Sequence, residues 1–270
     1  LPTPQIQMPS LTEMTLTVNI AAANPFYLPR FCANLLTLDL PDFDSPLGPL
    51  LAKLPKLTYF RCSSSQGPDI ASTTFPPLLK TLMIEDLDGI GDDPPYGVPE
   101  YPRHLPEALE VLGIHLLPPL PAMPLPDTLT SLYVRDVQDT SRYAHLPPKL
   151  EALHVIAGPI SWAPLLASLR LPSTLNSLNF EMPYHGIKGH LRLTKEMLST
   201  LPALTKLRVF PHEISGDLFA SLPRTLTNLE FHVAGGAGYE TTDQDLQHLP
   251  PNLTRLEIYF SFQEAPSQLS

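Results

Sequence analysis

The stretch LPRTLTNLEF, residues Leu222–Phe231, decides the fold because variants of it recur along nearly the whole chain. Its general form is LP, one or two residues, and then L-x-x-L-x-L. Close copies are LPEALEVLGI from Leu105, LPDTLTSLYV from Leu125, LPPKLEALHV from Leu146 and LPSTLNSLNF from Leu171. A phrase repeated in this way is typical of a solenoid, and solenoids usually bind other molecules rather than catalyse reactions.

The first Leu of L-x-x-L-x-L marks each copy, and the eleven markers are Leu11, Leu35, Leu57, Leu79, Leu109, Leu129, Leu150, Leu175, Leu204, Leu226 and Leu253. In x-L-x-L, two apolar residues face one side of a strand and the residues between them face the other. One repeat cannot bury its apolar side alone, but stacked neighbours can. We therefore predict a single domain over residues 1–270, an α/β repeat solenoid with a parallel concave sheet of about eleven strands.

The chain contains 34 prolines. Proline fixes φ and lacks a backbone N–H, so it belongs outside the inner strands of a sheet. The convex side is therefore predicted to be mostly irregular and proline-rich, with residues 41–50 and 115–124 extended or irregular. Short helical segments are expected in residues 193–201, 214–222 and 241–249, each of which has Ser or Thr near its start.

On the LP-x-x-L-x-x-L-x-L phrase, the chain resembles the leucine-rich repeat superfamily over nearly its whole length. The proline-rich wording is similar to repeats in bacterial secreted effectors and in repeat arrays of lower eukaryotes, above all in residues Leu117–Val134. The resemblance implies a protein-binding solenoid. The Asn or Cys that the family usually has three residues after the last Leu is absent from most copies, as after Leu40, so those turns must satisfy their polar groups in another way.

Candidate contact residues come from the strand positions that face away from the core. Met83, Tyr133 and His154 stand between the two Leu positions of central repeats, and His115, Arg135 and Ile156 stand just after the same pattern in central repeats. Tyr, Arg and Met are enriched at protein interfaces. We predict these six residues as the partner-binding site, although any such face presents a mixture of side chains by chance.

The function predicted from these observations is a protein–protein interaction module that binds its partner on the concave sheet. One alternative is a structural component of a larger complex that uses sheet edges and convex loops. Another, implied by the effector resemblance, is the substrate-recognition part of a longer ubiquitin-ligase-type effector. The motifs H-E-x-x-H, G-x-S-x-G and the Walker loop are absent, so we predict no enzymatic activity and no catalytic residues.

Composition restricts the partners. The net charge of −10 disfavours nucleic acid, whose binders usually carry a basic face. No apolar run approaches the roughly 18 residues that a membrane span needs, so no span is predicted. An acidic insertion follows the repeat that ends at Ile84, and its acidic residues are Glu85, Asp86, Asp88, Asp92 and Asp93. Their spacing does not match the order of ligands in a calcium-binding loop, so we predict no metal and no cofactor. The compartment is left open.

The two cysteines and the two ends carry smaller expectations. Cys32 and Cys62 are expected to be free thiols, and Cys62 is expected in the core. The N-terminal repeat offers an exposed edge strand, for which a partner or edge-to-edge association with another copy is a candidate cover. At the other end, Tyr259, Phe260 and Phe262 are expected to shield the last strand.

Overall fold

The computed structural model describes residues 10–15, 33–40, 47–64, 73–86, 104–114, 124–135, 146–156, 171–181, 195–209, 216–234 and 247–261. Eleven strands lie in these ranges: β1 Glu13–Thr15, β2 Thr37–Leu40, β3 Tyr59–Ser64, β4 Thr81–Asp86, β5 Val111–Ile114, β6 Ser131–Arg135, β7 Ala152–Ile156, β8 Ser177–Glu181, β9 Lys206–Val209, β10 Asn228–Ala234 and β11 Arg255–Ser261. Their order in the sheet is their order in the chain. The predicted leucine-rich-repeat-type solenoid with a parallel sheet of eleven strands is confirmed.

The chain divides into two compact units, Leu1–Tyr133 and Val134–Ser270. The first unit contains β1 to β5 and the start of β6. The second contains the end of β6 and β7 to β11. The prediction of one domain over the whole chain stays a prediction, and each unit is described by itself below.

The proline phrase forms a tight turn that leads into each strand. In nine copies within the described ranges, the N–H of the first Leu donates to the carbonyl three residues earlier, at 3.1 to 3.2 Å. In seven of these the accepting residue is proline, as in Leu226 to Pro223 and Leu109 to Pro106. The first residue of a β-turn supplies only its carbonyl to the turn, so proline's missing N–H costs nothing there. This explains the fixed spacing P-x-x-L.

The core is built from the three apolar positions of each repeat. The middle row consists of Leu38, Phe60, Leu82, Leu112, Leu132, Leu153, Leu178, Leu207 and Leu229, all of them buried. Registered pairing places equal positions of neighbouring repeats side by side, as Leu207 beside Leu229. In the second unit, Phe219 packs edge-to-face on Phe231 with ring centroids 5.7 Å apart. Each repeat therefore buries the apolar side of its neighbours.

Within the described parts of the return segments lie three short helices, α1 Gly48–Leu51, α2 Lys195–Ser199 and α3 Gly216–Ser221. Helices α2 and α3 confirm the predictions for residues 193–201 and 214–222, whereas residues 241–246 of the third predicted segment, 241–249, lie outside the described ranges. Helix α1 shows that the prediction of an extended or irregular segment at 41–50 is wrong in its last three residues. Pro49 stands in the first turn, where a helix needs no N–H, and Leu50 and Leu51 are buried.

Threonine hydroxyls join successive repeats on the entry side of the strands. The carbonyl of Thr205 accepts the N–H groups of Thr227 and Asn228, at 2.8 and 3.0 Å, and the Thr227 hydroxyl at 3.1 Å. A second set lies just before the first Leu: the Thr225 hydroxyl reaches the carbonyls of Pro202 and Leu204, at 3.2 and 2.7 Å. Thr128 and Thr174 make the same double contact. The turns that lack the usual Asn lie largely outside the described residues, so that prediction stays open.

Replacing Thr225 by Val is expected to lower the free energy of unfolding by about 1 kcal/mol, because the Leu204 carbonyl loses a partly buried hydrogen bond. Replacing it by Ser keeps the hydroxyl and should cost less than half as much. Urea denaturation of both variants checks this, with Arg224→Ala as an exposed control in the same turn. Equal stabilities of the Val and Ser variants would remove the proposed role of the hydroxyl.

The predictions for the two cysteines and for the C-terminal aromatic residues have different outcomes. Cys62 is a buried free thiol, as predicted, and Cys32 lies outside the described residues. Tyr259 is exposed, and its hydroxyl donates to Glu257, at 2.7 Å, on the side of the sheet that faces away from the core-facing Leu256 and Ile258. The side chain of Phe260 and all of Phe262 lie outside the described residues, so the shielding of the last strand by these three residues stays a prediction.

Candidate functional site

The open face is defined here as the strand side chains that alternate with the buried positions. Parallel register brings equal positions of neighbouring repeats together in rows across this face. One such row in the second unit is Asn179, Arg208, Glu230 and Glu257. Neighbouring strands lie about 4.8 Å apart, so side chains of one row are within contact distance.

In the first unit, a glycine shapes the open face. Gly113 is paired with Met83 of the preceding strand. A Cβ atom on Gly113 would lie 2.5 Å from both Sδ and Cε of Met83, and 3.7 Å from Cβ of Tyr133. The end of the Met83 side chain therefore occupies the space that Gly113 leaves, and the Cβ of Tyr133 borders the same space. We call Met83, Gly113 and Tyr133 the Met83–Tyr133 patch; Tyr133 is 38% exposed.

An ion-pair group borders this patch. Arg61 is the register partner of Met83 on the other side from Gly113. Its guanidinium lies 2.9 Å from Glu85 and 3.9 Å from Asp39. The hydrogen bond to Glu85, followed by the charge of Glu85, raises the pKa of Arg61. The apolar patch is thus flanked by charges that are already paired within the chain.

In the second unit, a carboxylate gathers side chains from three neighbouring strands. Glu181 accepts hydrogen bonds from Arg208 and from Asn179, the latter at 3.1 Å, and its Oε1 lies 3.4 Å from Nε2 of His154. Arg208 also contacts Glu230, with Nε 3.0 Å from Oε1. We call Glu181, His154, Asn179, Arg208 and Glu230 the Glu181 network.

The environment of Glu181 holds it in the ionised form. Its pKa is lowered from 4.5 to about 2, chiefly by the hydrogen bond with His154, with smaller contributions from Asn179 and from the charges of His154 and Arg208. Burial opposes this shift. The network is therefore a fixed arrangement of charges, which suits specific recognition better than proton transfer.

Strand β11 carries a smaller charged group. The guanidinium of Arg255 reaches Oε1 of Glu257 at 2.6 and 2.7 Å, and the Tyr259 hydroxyl donates to Oε2. The hydrogen bonds from Tyr259 and then Arg255 lower the pKa of Glu257, and the same contact raises the pKa of Tyr259. A shallow cavity of about 190 Å³ lies over β8 to β11, lined by polar side chains that include Lys206, Asn228 and Arg255.

The six predicted contact residues are only partly described. Met83 and Tyr133 lie in one patch, in the first unit. His154 and Ile156 are half-buried on β7 in the second unit. Arg135 ends β6, but its side chain is outside the described set, as is all of His115. The predicted site as a whole stays a prediction.

The sequence analysis did not select Gly113 or Glu181 as candidate contact residues. A signal for Gly113 was present, because glycine inside a strand often marks a close approach of other atoms. Glu181 carried no such signal. Its importance depends on the register that sets it beside His154 and Arg208.

Two kinds of feature are absent from the described residues. There, no three His, Cys, Asp or Glu side chains are grouped so as to hold a metal ion. Within the same ranges, no helix has the length and hydropathy to cross a bilayer. The predicted absence of a cofactor and of enzymatic activity stays a prediction.

The repeated phrase, the turn that it forms and the parallel register of the strands define the fold class of this protein as a leucine-rich-repeat-type solenoid. No protein-family model matches the chain. No curated protein matches it either. Among solved structures, the chain is similar to an internalin from Listeria monocytogenes, with 16% sequence identity, a TM-score of 0.43, and coverage of 94% of this chain and 83% of that one.

Proposed function

We propose that this solenoid is a protein–protein interaction module that binds its partner on the open face, with the Met83–Tyr133 patch as a principal contact. The observation that carries the proposal is the arrangement around Gly113. Its missing side chain leaves the space that the end of Met83 occupies, next to the exposed Tyr133, so the open face presents apolar surface here. Methionine and tyrosine are both enriched in protein contacts.

The backbone below the patch supports binding because it is already ordered. The N–H groups of Glu110 and Val111 both donate to the Lys80 carbonyl, and those of Thr130 and Ser131 donate to the Glu110 carbonyl. Strands β4, β5 and the start of β6 are thereby held at fixed spacing. A partner that docks on this face pays little ordering entropy on the solenoid's side, so more of the contact energy appears as affinity.

The bordering charges favour specificity. Arg61, beside Met83, is held between Asp39 and Glu85. A partner that meets this surface must complement both signs, since like charges placed in contact would weaken binding. The mixed charge pattern thus favours a protein partner with an apolar side chain for the patch and polar groups around it.

Alanine at both Met83 and Tyr133 is expected to weaken partner binding at least about tenfold, which corresponds to the loss of one or two well-packed contact side chains. Wild-type and variant chains would be immobilised at equal density to capture a partner from an extract of the source cells. The affinity of the captured protein would then be measured by surface plasmon resonance. Leu78→Ala is the matched control, because Leu78 is an exposed apolar residue in a turn of the same unit.

A second variant changes the shape of the Met83–Tyr133 patch while both of its large side chains are kept. Gly113→Ala adds a methyl group where the flexible end of Met83 now lies, so Met83 must move while the backbone is retained. It should weaken binding with no change in the circular dichroism spectrum. If the double variant binds as tightly as the wild type while Leu78→Ala does not, the contact lies on the turns and the proposal is wrong. His115, Arg135, His154 and Ile156 stay predicted contacts, each testable by its own alanine substitution in this assay.

A further inference from the structure

The last strand of the sheet differs from the inner strands in its exposure. Strand β11 is the terminal strand, with a neighbouring strand on one side only, and its seven residues match the seven of the adjacent β10. Leu256 is the register partner of Leu229, which is 1% exposed, yet Leu256 is 39% exposed. The edge therefore presents both apolar surface and backbone groups that a further strand would cover.

The pattern of backbone bonds shows which groups point outward. The N–H of Arg255 donates to the Thr227 carbonyl, so the backbone groups of Arg255 point toward β10. Alternation along a strand then directs the N–H and C=O groups of Leu256 and Ile258 away from β10. In inner repeats, the carbonyls of Thr205 and Thr227 each accept three donors from the next repeat. At the equivalent Thr254 carbonyl, no donor is found among the described residues.

We propose that two copies of this chain pair through β11, antiparallel and two-fold symmetric, with Leu256 facing Leu256 of the second copy. In this register each Leu256 N–H donates to the other Leu256 carbonyl. Each Ile258 N–H donates to the Thr254 carbonyl of the second copy, the acceptor that inner repeats fill from the next repeat. Antiparallel pairs exchange bonds in this way at every second residue.

The charges on β11 complement each other in the same register. Arg255 stands directly opposite Glu257 of the second copy, and Glu257 stands opposite the other Arg255. Directly opposite side chains on paired strands have Cβ atoms about 5 Å apart, within reach of an ion pair. Both residues now contact each other within one strand, and Arg255 is largely exposed. Pairing would let them exchange partners without leaving a charge unmatched.

Neighbouring registers are poorer. Centring the pair on Glu257 would place the two Glu257 carboxylates opposite each other, which is destabilising. Centring it on Ile258 would leave Glu257 opposite Tyr259 and lose the Arg255 contact. Charge complementarity therefore favours a second copy of this chain as the partner of β11, and it favours the register in which the two Leu256 residues face each other. The symmetry is that of an isologous dimer, in which one surface serves both subunits.

Sedimentation equilibrium of the full chain tests the pairing through charge reversal. The wild type should approach twice the mass of 29.8 kDa as concentration rises. Arg255→Glu alone and Glu257→Arg alone should each weaken dimerisation at least about tenfold, because like charges then face each other twice. An equal mixture of the two variants should dimerise like the wild type, since every facing pair is again opposite in sign. The double variant with both reversals should do so as well.

Two outcomes would overturn the proposal. One is a wild-type mass that stays at 29.8 kDa up to concentrations on the order of 1 mM. The other is dimerisation of both single variants as strong as that of the wild type, which would place the contact elsewhere. Circular dichroism verifies the fold of each variant, and both positions are on the open face. The Met83–Tyr133 patch lies in the other unit, so this result is independent of the proposed function.

Discussion

Replacement of Leu229 by Ala is expected to lower the free energy of unfolding by about 3 kcal/mol, whereas the same change at Leu256 should cost less than about 1.5 kcal/mol. The two leucines occupy the same position of the repeat phrase and are register partners. Leu229 is enclosed by repeats on both sides, but Leu256 has a repeat on one side only and is 39% exposed. The difference between the two losses of unfolding free energy measures how much a second neighbouring repeat stabilises a leucine at this position of the phrase.

Chemical denaturation of both variants, followed by far-ultraviolet circular dichroism, checks this expectation. Protein concentration should be kept below the range in which copies pair, because pairing through β11 would bury Leu256. Equal losses at the two positions would contradict the view that the core is formed between repeats. They would mean instead that each leucine is buried mainly by its own repeat.

Acidification is expected to remove a contribution of about 1–2 kcal/mol that the Glu181 network makes to stability. The pKa of Glu181 is lower in the folded chain, about 2, than its ordinary value of 4.5. The ionised form is therefore favoured by folding, and the stabilisation is complete above about pH 5. It is lost as the pH falls from there toward 2, because the unfolded chain takes up the proton first.

Glu181→Gln isolates this contribution, since it keeps the size of the side chain and removes its charge. The variant should be less stable than the wild type at pH 7, and the difference should shrink steadily as the pH falls below about 5. Glu107→Gln, in an exposed turn, is the matched control, and its free energy of unfolding should change with pH as that of the wild type does. A gap between wild type and Glu181→Gln that stays constant from pH 7 to pH 3 would mean that the Glu181 charge does not carry the effect.

Much of the fold is predictable from the repeated phrase because its physics is local. Proline three residues before the first Leu allows the turn, and the leucines that follow alternate into the core. Helices α2 and α3 were also predictable from Ser or Thr near an unbroken segment. Helix α1 is not predicted by the proline content of residues 41–50, although Pro49 is well placed in the first turn of a helix.

The candidate site was less predictable because it depends on contacts between repeats. The markers are 20 to 30 residues apart, so sequence distance does not reveal which side chains touch. The sequence placed Met83 and Tyr133 on the open face, but the role of Gly113 between them required the register of β4 with β5. Likewise, His154, Glu181 and Arg208 come from three different repeats, and only their pairing shows a shared carboxylate.

The proposed recognition by the open face is tested most directly by site-specific labelling with and without the bound partner. Single cysteines at positions 81, 131 and 78 would be placed in a Cys32→Ser background, where the buried Cys62 reacts slowly; Thr81 and Ser131 lie on the open face beside the patch, so Met83 and Tyr133 are kept. Maleimide labelling rates are then compared. Binding on the open face predicts strong protection at positions 81 and 131 and an unchanged rate at position 78. Protection at position 78 with unchanged rates at 81 and 131 would contradict it.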